Sequence, residues 1–213
     1  MRVRFLMIGL LSLGGAGLFG NGVYIYAKAR LAQFLLQRAW TKTLRGEKDV
    51  KPWKWADTWP VAKIEFPEQH QRFIVLSGAS GRTMAFGPGH VDGTADPDET
   101  GNCVISAHRD TQFAVLQQVQ LGDEIVMQTR HGKTIHYRVR AMRVVRSRDV
   151  SILANSNGRR LTLITCYPFD AIRPGGDLRY AVMAAPAPIR PDLRSQVSDL
   201  SHTLSHQAGL GGG

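Results

Sequence analysis

Residues 135–139 read Ile-His-Tyr-Arg-Val, an alternation of apolar and polar side chains. Because successive side chains of a β-strand point to opposite faces, this alternation predicts a strand with one buried face. Similar β-rich runs, bounded by turn pairs such as Asn157-Gly158, lie on both sides of it. The seven predicted strands are Val61–Phe66, Arg72–Ser77, Asn102–Ala107, Glu124–Thr129, Thr134–Val145, Leu161–Cys166 and Arg179–Ala184.

Short strands at this spacing predict a mainly β fold, a closed barrel or a sandwich, rather than repeated βαβ units. Only Phe113–Val119 reads as a short helix within this region. Residues 28–45 read as a longer helix that Gly46 caps at its C-terminal end, and a Trp-rich linker then continues to residue 60. We therefore predict a β domain at residues 61–186, preceded by a juxtamembrane helix and linker at 28–60.

The N-terminal region predicts a membrane anchor. Residues 5–27 contain no charged side chain, and roughly 20 apolar residues suffice for a helix to cross a bilayer. Arg2 and Arg4 precede the segment, so residues 1–4 are expected in the cytoplasm and the β domain on the periplasmic side of the inner membrane, in a single-pass topology. The alternative is a cleaved signal peptide, since Ala27-Lys28-Ala29 has the form of a cleavage site.

The net charge of +10 raises the question of a nucleic-acid partner. Residues 1–51 hold nine Lys and Arg against two Asp and Glu, so most of the surplus flanks the hydrophobic segment, where it would face anionic lipid headgroups. No nucleic-acid-binding motif accompanies the charge, and we expect no such partner. Residues 187–213 form a polar C-terminal tail in which His202 and His206 are expected to be solvated.

Three residues at strand ends carry the candidate chemistry. Cys166 ends the apolar run 161–166 beside a loop, a position where a rigidly held side chain can reach a substrate. His108 ends a second apolar strand, and an imidazole near a thiol can hold or deliver its proton. Arg179 starts the strand that returns after Cys166, where its guanidinium could stabilise a developing oxyanion. Each residue taken singly has another interpretation. Cys166 could be a structural cysteine, His108 a turn histidine and Arg179 a surface arginine.

Taken together, the sequence resembles the sortase family. Thr162-Leu163-Ile164-Thr165-Cys166 matches the TLxTC signature of that family. Residues 106–111, Ser-Ala-His-Arg-Asp-Thr, are similar to its histidine segment. Residues 177–182, Asp-Leu-Arg-Tyr-Ala-Val, are similar to the strand that carries its essential arginine. The resemblance covers residues 61–185 and includes Gly87-Pro88-Gly89-His90 and Gly101-Asn102.

The resemblance implies an eight-stranded barrel that cleaves an LPxTG-like C-terminal sorting signal of an exported protein. In this reading Cys166 attacks the threonine carbonyl to form a thioacyl enzyme, His108 is the general acid and base, and Arg179 binds substrate and stabilises the oxyanion. Thr165 would lie beside the oxyanion, and the loop Arg146–Arg160 would form one wall of the groove. Ala107, Asp110 and Tyr167 complete the predicted substrate-binding set. We expect no cofactor and no bound metal, and we read the acidic run 92–99 as a solvated loop.

Several features sharpen the resemblance. The N-terminal anchor and Arg-rich sequence are most similar to proteobacterial sortases of class GN. The acceptor of the acyl group is left open between an amine and water, and water would make the enzyme a processing peptidase. Two other readings compete: an L,D-transpeptidase, which the 58 residues between His108 and Cys166 disfavour, and a non-catalytic anchored interaction domain.

The second cysteine is predicted to be unpaired. Two cysteines in an exported protein suggest a disulfide. However, Cys103 begins the histidine strand, so it lies about 16 Å from the predicted active rim. A disulfide needs Cα atoms within about 7 Å of each other. We therefore predict that Cys103 is a free thiol in the core.

Overall fold

The structure is a computed structural model that describes the backbone of residues 2–171 and 175–187. Side chains are not described at residues 2, 3, 5–14, 16–19 and 21. The predicted polar tail, with His202 and His206, lies outside the described residues apart from Ala187.

Eight strands close into a barrel in the order β1-β2-β3-β4-β7-β8-β6-β5. Neighbouring strands are antiparallel except for two parallel pairs, β2 with β3 and β4 with β7. The strands are β1 Pro60–Phe66, β2 Gln71–Ser77, β3 Gly89–His90, β4 Asn102–Ser106, β5 Glu124–Thr129, β6 Thr134–Arg146, β7 Arg160–Tyr167 and β8 Leu178–Pro186. The predicted mainly β, eight-stranded barrel is confirmed.

All seven strands predicted from the sequence are present, and none of their ends differs from the prediction by more than two residues. The eighth, β3, has only two residues, too few to show an alternation in the sequence. The predicted short helix Phe113–Val119 is present as a 3-10 helix at Gln112–Gln117, which begins one residue earlier and ends two residues earlier. A one-turn helix, α2, at Gly81–Met84 was not predicted; the Ser80 hydroxyl caps it by accepting a hydrogen bond from the Thr83 amide.

A long helix, α1, runs from Arg2 to Leu44, so the predicted helix at 28–45 is the second part of one continuous element. Its C-terminal part packs on the barrel through the buried side chains of Leu36, Ala39 and Trp40. Gly46 follows in a left-handed conformation with φ of +94°, as expected of a helix cap. Among the residues whose side chains are described, no helix contains a stretch long and apolar enough to span a membrane. The predicted anchor at 5–27 falls mostly outside those residues and stays a prediction.

The tryptophans of the linker differ in their surroundings. Trp53 meets the ring of Phe86 edge-on with centroids 4.7 Å apart, and Trp59 packs against the core. Trp55 is 83% exposed. Two of the three linker tryptophans therefore pack on the domain.

The barrel wall separates two apolar clusters. Alternate residues of β7 and β8, such as Leu161, Leu163 and Val182, point inward and belong to the main core. Val104, Ile164 and Ala181 point outward and form a second, smaller cluster on the outer face. The outer face of β4, β7 and β8 is therefore apolar, and the chain covers it with part of the segment that joins β6 to β7.

Candidate active site

Strand register brings the predicted catalytic residues to one end of the barrel. Cys166 of β7 lies directly opposite Arg179 of β8. In the parallel β4–β7 pair Ser106 lies opposite Ile164, and the amide of Ala107 donates to the carbonyl of Ile164 at 3.2 Å. Continuing this register by two residues sets His108 beside Cys166. Neighbouring strands lie about 5 Å apart, so the three residues form a short row across β4, β7 and β8.

The row lies on the outer face of the barrel. Cys166 is two residues after Ile164, and residues at this spacing share a face of the strand. Cys166 is half-buried and its thiol is free, whereas His108 is exposed. A thiol, an imidazole and a guanidinium thus lie in one row on the outer face of the barrel.

Arg179 is held at the start of β8 by nearby carbonyls. Its Nη1 donates to the carbonyl oxygens of Gly176 at 2.6 Å and Leu178 at 2.9 Å. These bonds tie the guanidinium to the β7–β8 loop and leave its other N–H groups for a further acceptor. The cation therefore lies in the same row as the thiol without being neutralised by a carboxylate of the described residues.

Thr165 and Ala107 lie on the opposite face from Cys166. Thr165 is 1% exposed, and its hydroxyl donates to the carbonyl of Ala107 at 2.7 Å. Ala107 is buried in the main core. The Thr165 hydroxyl therefore fastens the end of β4 to β7 and is committed to that bond, so only the backbone of Thr165 is placed to serve the predicted oxyanion role.

Tyr167 contributes to an aromatic group at the mouth of the barrel. Its ring stacks on Tyr180 with centroids 6.2 Å apart and meets Phe169 edge-on at 6.1 Å. Burial, together with the nearby Tyr167, raises the pKa of the Tyr180 phenol, whose hydroxyl donates to the sulfur of Met142. The Tyr167 ring thus packs with the inner aromatic side chains, and its predicted contact with substrate stays a prediction.

Arg109 is a positioning residue that the sequence did not reveal. It is 5% exposed, and its guanidinium donates to the carbonyls of Pro168 at 2.7 Å and Ala171 at 2.6 Å. Its Nε also donates to the exposed carboxylate of Asp110 at 3.2 Å. Arg109, the residue after His108, therefore holds the segment that follows Cys166, and this fixes the two segments relative to each other. A charged residue in a polar stretch gives no sequence signal of burial.

The outer apolar cluster forms a floor next to Cys166. Val104, Ile164 and Ala181 make this floor, and Ile152 and Leu153 pack against it from the β6–β7 segment. The segment includes a short 3-10 helix at Val150–Leu153. Part of the predicted groove wall at Arg146–Arg160 thus packs on this apolar floor, whose member Ile164 precedes Cys166 by two residues on β7.

Asn102 anchors this wall. Its amide nitrogen donates to the carbonyls of Ile152 at 2.9 Å and Ala154 at 3.2 Å, while its side-chain oxygen accepts from Thr162 at 2.6 Å. Gly101 precedes it with φ of +127°, and a Cβ there would collide with the Asn155 side chain. Gly101 therefore allows a backbone conformation that a larger residue would not adopt, and Asn102 makes buried hydrogen bonds that an apolar residue would not make.

Cys103 is chemically different from Cys166. It is a free thiol, as predicted, and is 2% exposed. Burial raises its pKa to about 12, with the charge of Asp96 adding in the same direction. Because the thiolate is the reactive form, Cys103 is inert at neutral pH.

The acidic run 92–99 is partly engaged in ion pairs. Arg130 lies 3.4 Å from the carboxylate of Asp96 and 3.5 Å from that of Asp98, and His131 lies 3.0 Å from Asp98. Asp96 and Asp98 of the predicted solvated loop are therefore held by cationic and histidine side chains, whereas Asp92 and Glu99 are exposed as expected. Within residues 2–171 and 175–187, no group of three or more His, Cys, Asp or Glu is placed to hold a metal ion. The expectation of no metal stays a prediction.

Fold and site together define a class: a closed β-barrel protein with a candidate cysteine nucleophile, a histidine and an arginine on one outer rim. Comparison with known families is consistent with this class. The family described as "Sortase domain" matches residues 64–187, which is more than half of the chain. The chain belongs to the sortase family.

Individual relatives show the same likeness. Over 110 residues the chain is 29% identical to Sortase D of Bacillus subtilis strain 168, covering 51% of this chain and 55% of that protein. It therefore spans about half the length of this curated relative. Sortase A from Corynebacterium diphtheriae superimposes with a TM-score of 0.59 and 29% identity, covering 70% of each chain. Sortase C-1 from Actinomyces oris has a TM-score of 0.54 and 30% identity, covering 61% of this chain and 76% of its own.

Proposed function

We propose that this protein is a sortase-type cysteine transpeptidase that cleaves an LPxTG-like sorting signal of an exported protein. The observation that carries the proposal is the row of Cys166, Arg179 and His108 on the outer rim, next to the apolar floor around Ile164. A thiol, a proton carrier and an oxyanion stabiliser are the groups that acyl transfer needs. The apolar floor suits the leucine and proline side chains of such a signal.

The reaction follows from these roles. With the thiol proton held by His108, the Cys166 sulfur forms a bond to the carbonyl carbon of the signal's threonine, while Arg179 donates hydrogen bonds to the oxygen as it becomes negative. When the tetrahedral intermediate collapses, the carbon–nitrogen bond to the next residue breaks and His108 gives a proton to the leaving amine. An acceptor amine then attacks the thioester, loses a proton to His108 and releases the Cys166 sulfur.

Cellular placement is part of the proposal. The 23 charge-free residues at 5–27 would anchor the chain once in the inner membrane, with the barrel on the periplasmic side. Class GN membership and a dedicated exported target protein belong to the same proposal. The acceptor is an amine in the transfer reaction, and water in the alternative in which the enzyme is a processing peptidase.

The test is a product analysis with the full-length chain in mild detergent. Peptides with LPxTG-like cores are incubated with and without a triglycine acceptor, and products are identified by mass spectrometry. We expect cleavage after the threonine and a ligated product when triglycine is present, and hydrolysis alone would identify the peptidase. Cys166→Ala keeps the fold, because Cys166 is half-buried, and serves as the control. Equal cleavage by this variant would refute the proposal.

A further inference from the structure

A cavity of about 460 Å³ lies between α1 and β2 and is referred to below as the α1–β2 cavity. Among the described residues that line it are three cations, Arg30, Lys63 and Arg72, and no Asp or Glu. Lys63 is paired with Glu65 at 2.5 Å. In the part of the chain that the structure describes, no carboxylate lies within 4.0 Å of the guanidinium of Arg30 or Arg72. The cavity therefore holds two positive charges without fixed counter-charges.

Neutral donors and an apolar side complete the lining of the cavity. The side-chain oxygen of Gln112 accepts a hydrogen bond from the Thr111 hydroxyl at 2.6 Å, so the amide nitrogen of Gln112 can donate to another group. The Nε of Arg30 donates to the Tyr26 hydroxyl at 3.0 Å, which leaves both terminal nitrogens for a further acceptor. The apolar side consists of Phe73, Ile74, Phe86 and Pro88. This lining matches an anionic group that is attached to an apolar body.

Strand directions place the α1–β2 cavity at the end of the barrel that carries Cys166, called the catalytic end below. From β7 through β8, β6, β5 and β1 to β2, every neighbouring pair is antiparallel. These five reversals bring the start of β2, where Arg72 is the second residue, to the same end as the close of β7. Gln112, which follows His108 by four residues, lines the cavity from the same end.

The direction of α1 sets which end of the barrel faces a membrane. Arg30 shares the α1–β2 cavity with Arg72, whereas Thr43, near the end of α1, lines a second cavity with Pro60, the first residue of β1, at the opposite end. The part of α1 that precedes Arg30 therefore leaves the barrel at the catalytic end. With the proposed anchor at 5–27, Arg30 lies three residues beyond it, or about 5 Å along the helix. The catalytic end then faces the bilayer.

The side chains just before Arg30 suit the level of the lipid headgroups. Tyr24 and Tyr26 are each 61% exposed, and tyrosine is enriched where a membrane helix meets the headgroup region. The Lys28 ammonium lies 5.2 Å from the ring centroid of Tyr24, and the Arg30 guanidinium lies 5.3 Å from that of Tyr26. Cations and aromatic rings thus alternate along α1 up to the cavity.

We propose that the α1–β2 cavity binds the phosphate of an anionic phospholipid and thereby holds the catalytic end of the barrel against the bilayer. Arg30 and Arg72 pair with the phosphate, the Gln112 amide donates to it, and the apolar side contacts the glycerol and the first acyl carbons. A free phosphate ion has the charge but lacks the apolar body. The groove beside Cys166 is then presented to polypeptides at the membrane surface. This inference rests on the membrane anchor of the proposed function.

The first experiment measures lipid binding to the full-length chain in a nonionic detergent by native mass spectrometry. Phosphatidylglycerol and phosphatidylcholine with the same acyl chains are added separately at equal concentrations, and inorganic phosphate is added alone. We expect phosphatidylglycerol to bind at least about fivefold more tightly than phosphatidylcholine, since one basic residue beside an anionic headgroup contributes about that factor. Inorganic phosphate should bind more weakly than phosphatidylglycerol, because it cannot use the apolar side.

Single variants locate the lipid and control for net charge. Arg30→Gln and Arg72→Gln should each weaken phosphatidylglycerol binding about fivefold. Arg45 is exposed and precedes Gly46, which lines the cavity at the opposite end, so Arg45→Gln removes the same charge and should leave the affinity unchanged. Equal binding of the two lipids, full affinity in either cavity variant, or inorganic phosphate that binds as tightly as phosphatidylglycerol would overturn the inference.

The second experiment measures which end of the barrel faces the bilayer. In a Cys166→Ala background, Gln71→Cys at the catalytic end or Lys133→Cys at the opposite end is labelled with a fluorophore, and buried Cys103 stays unlabelled. The full-length chain is placed in vesicles that contain phosphatidylglycerol and a lipid with a nitroxide on its headgroup. We expect stronger quenching at position 71 than at position 133. Equal quenching, or stronger quenching at position 133, would count against the inference.

Neither experiment needs turnover, so each is independent of whether the chain cleaves a sorting signal. A chain that does not float with vesicles refutes the proposed anchor, and the detergent experiment then decides about the α1–β2 cavity by itself. Selective phosphatidylglycerol binding that both cavity variants weaken supports the inference even if no peptide is cleaved. Peptide cleavage without such binding supports the proposed function and overturns the inference.

Discussion

Replacing Asn102 with leucine tests whether this one side chain holds the β6–β7 wall in place. Leucine has a similar size but removes the two amide donors and the acceptor. The carbonyls of Ile152 and Ala154 and the Thr162 hydroxyl, which is fully buried, lose their partners. The hydrogen bond that the Asn102 backbone N–H donates to the side-chain oxygen of Asn155 remains. The variant therefore removes three hydrogen bonds without changing the strand pairing.

The expected loss of stability follows from the number of bonds. Each net hydrogen bond contributes about 1 kcal/mol, so the free energy of unfolding should fall by about 3 kcal/mol. With a urea dependence of about 2 kcal/mol per molar, the unfolding midpoint should drop by about 1.5 M. Thr162→Val is the matched control, since it removes only one of the three bonds, and it should lower the free energy by about 1 kcal/mol.

Three measurements check this reasoning. Urea unfolding followed by tryptophan fluorescence reports the stability, and hydrogen exchange of residues 150–155 reports the local opening of the wall. The KM for a cleaved peptide should rise in Asn102→Leu more than kcat falls, because the wall carries Ile152 and Leu153 over the apolar floor. A midpoint no lower than that of Thr162→Val, or unchanged exchange in 150–155, would refute the anchoring role.

Three further outcomes are expected. Arg109→Met should lower kcat at least tenfold and destabilise the fold by about 2–5 kcal/mol, because the carbonyls of Pro168 and Ala171 lose a buried hydrogen-bond donor. Peptide-cleavage rates and thermal unfolding measure the two effects, and an unchanged kcat would contradict the positioning role of Arg109. The raised pKa of Cys103 favours the neutral thiol in the fold, so its stabilisation is present below about pH 9 and is lost as pH rises toward about 12. Cys103→Val should flatten the alkaline decline in unfolding free energy, and an equally steep decline would count against it. Iodoacetamide at neutral pH should label Cys166 and spare Cys103 in the folded protein, as peptide mapping would reveal, and label at Cys103 would be incompatible with its burial.

The barrel and the row of candidate site residues were predictable because both depend on strand positions. β-rich runs bounded by turn residues located seven strands, and the placement of Cys166, His108 and Arg179 at strand ends already implied a common rim. The observed registers, Cys166 opposite Arg179 and Ser106 opposite Ile164, agree with that expectation. The same alternation applied to the residue before Cys166 would have placed the Thr165 side chain on the inner face.

Other features depend on tertiary contacts that local sequence does not encode. The burial of Arg109 is set by two carbonyls about sixty residues away along the chain. The two residues of β3 become a strand only because β2 and β4 pair with them. The continuity of α1 across residues 27 and 28 is not apparent from local sequence, because Lys28 ends the charge-free segment at that point.

The central claim is that the Cys166 sulfur acts as the nucleophile within a row that includes His108 and Arg179. The most direct measurement is the intact mass of the protein after rapid acid quenching with an LPxTG-like peptide, followed by mapping of the modified residue. We predict an added mass equal to that of the peptide portion that ends in threonine, attached to Cys166, and no such mass in Cys166→Ala. An acyl group found on any other residue, or peptide turnover by the alanine variant, would contradict it.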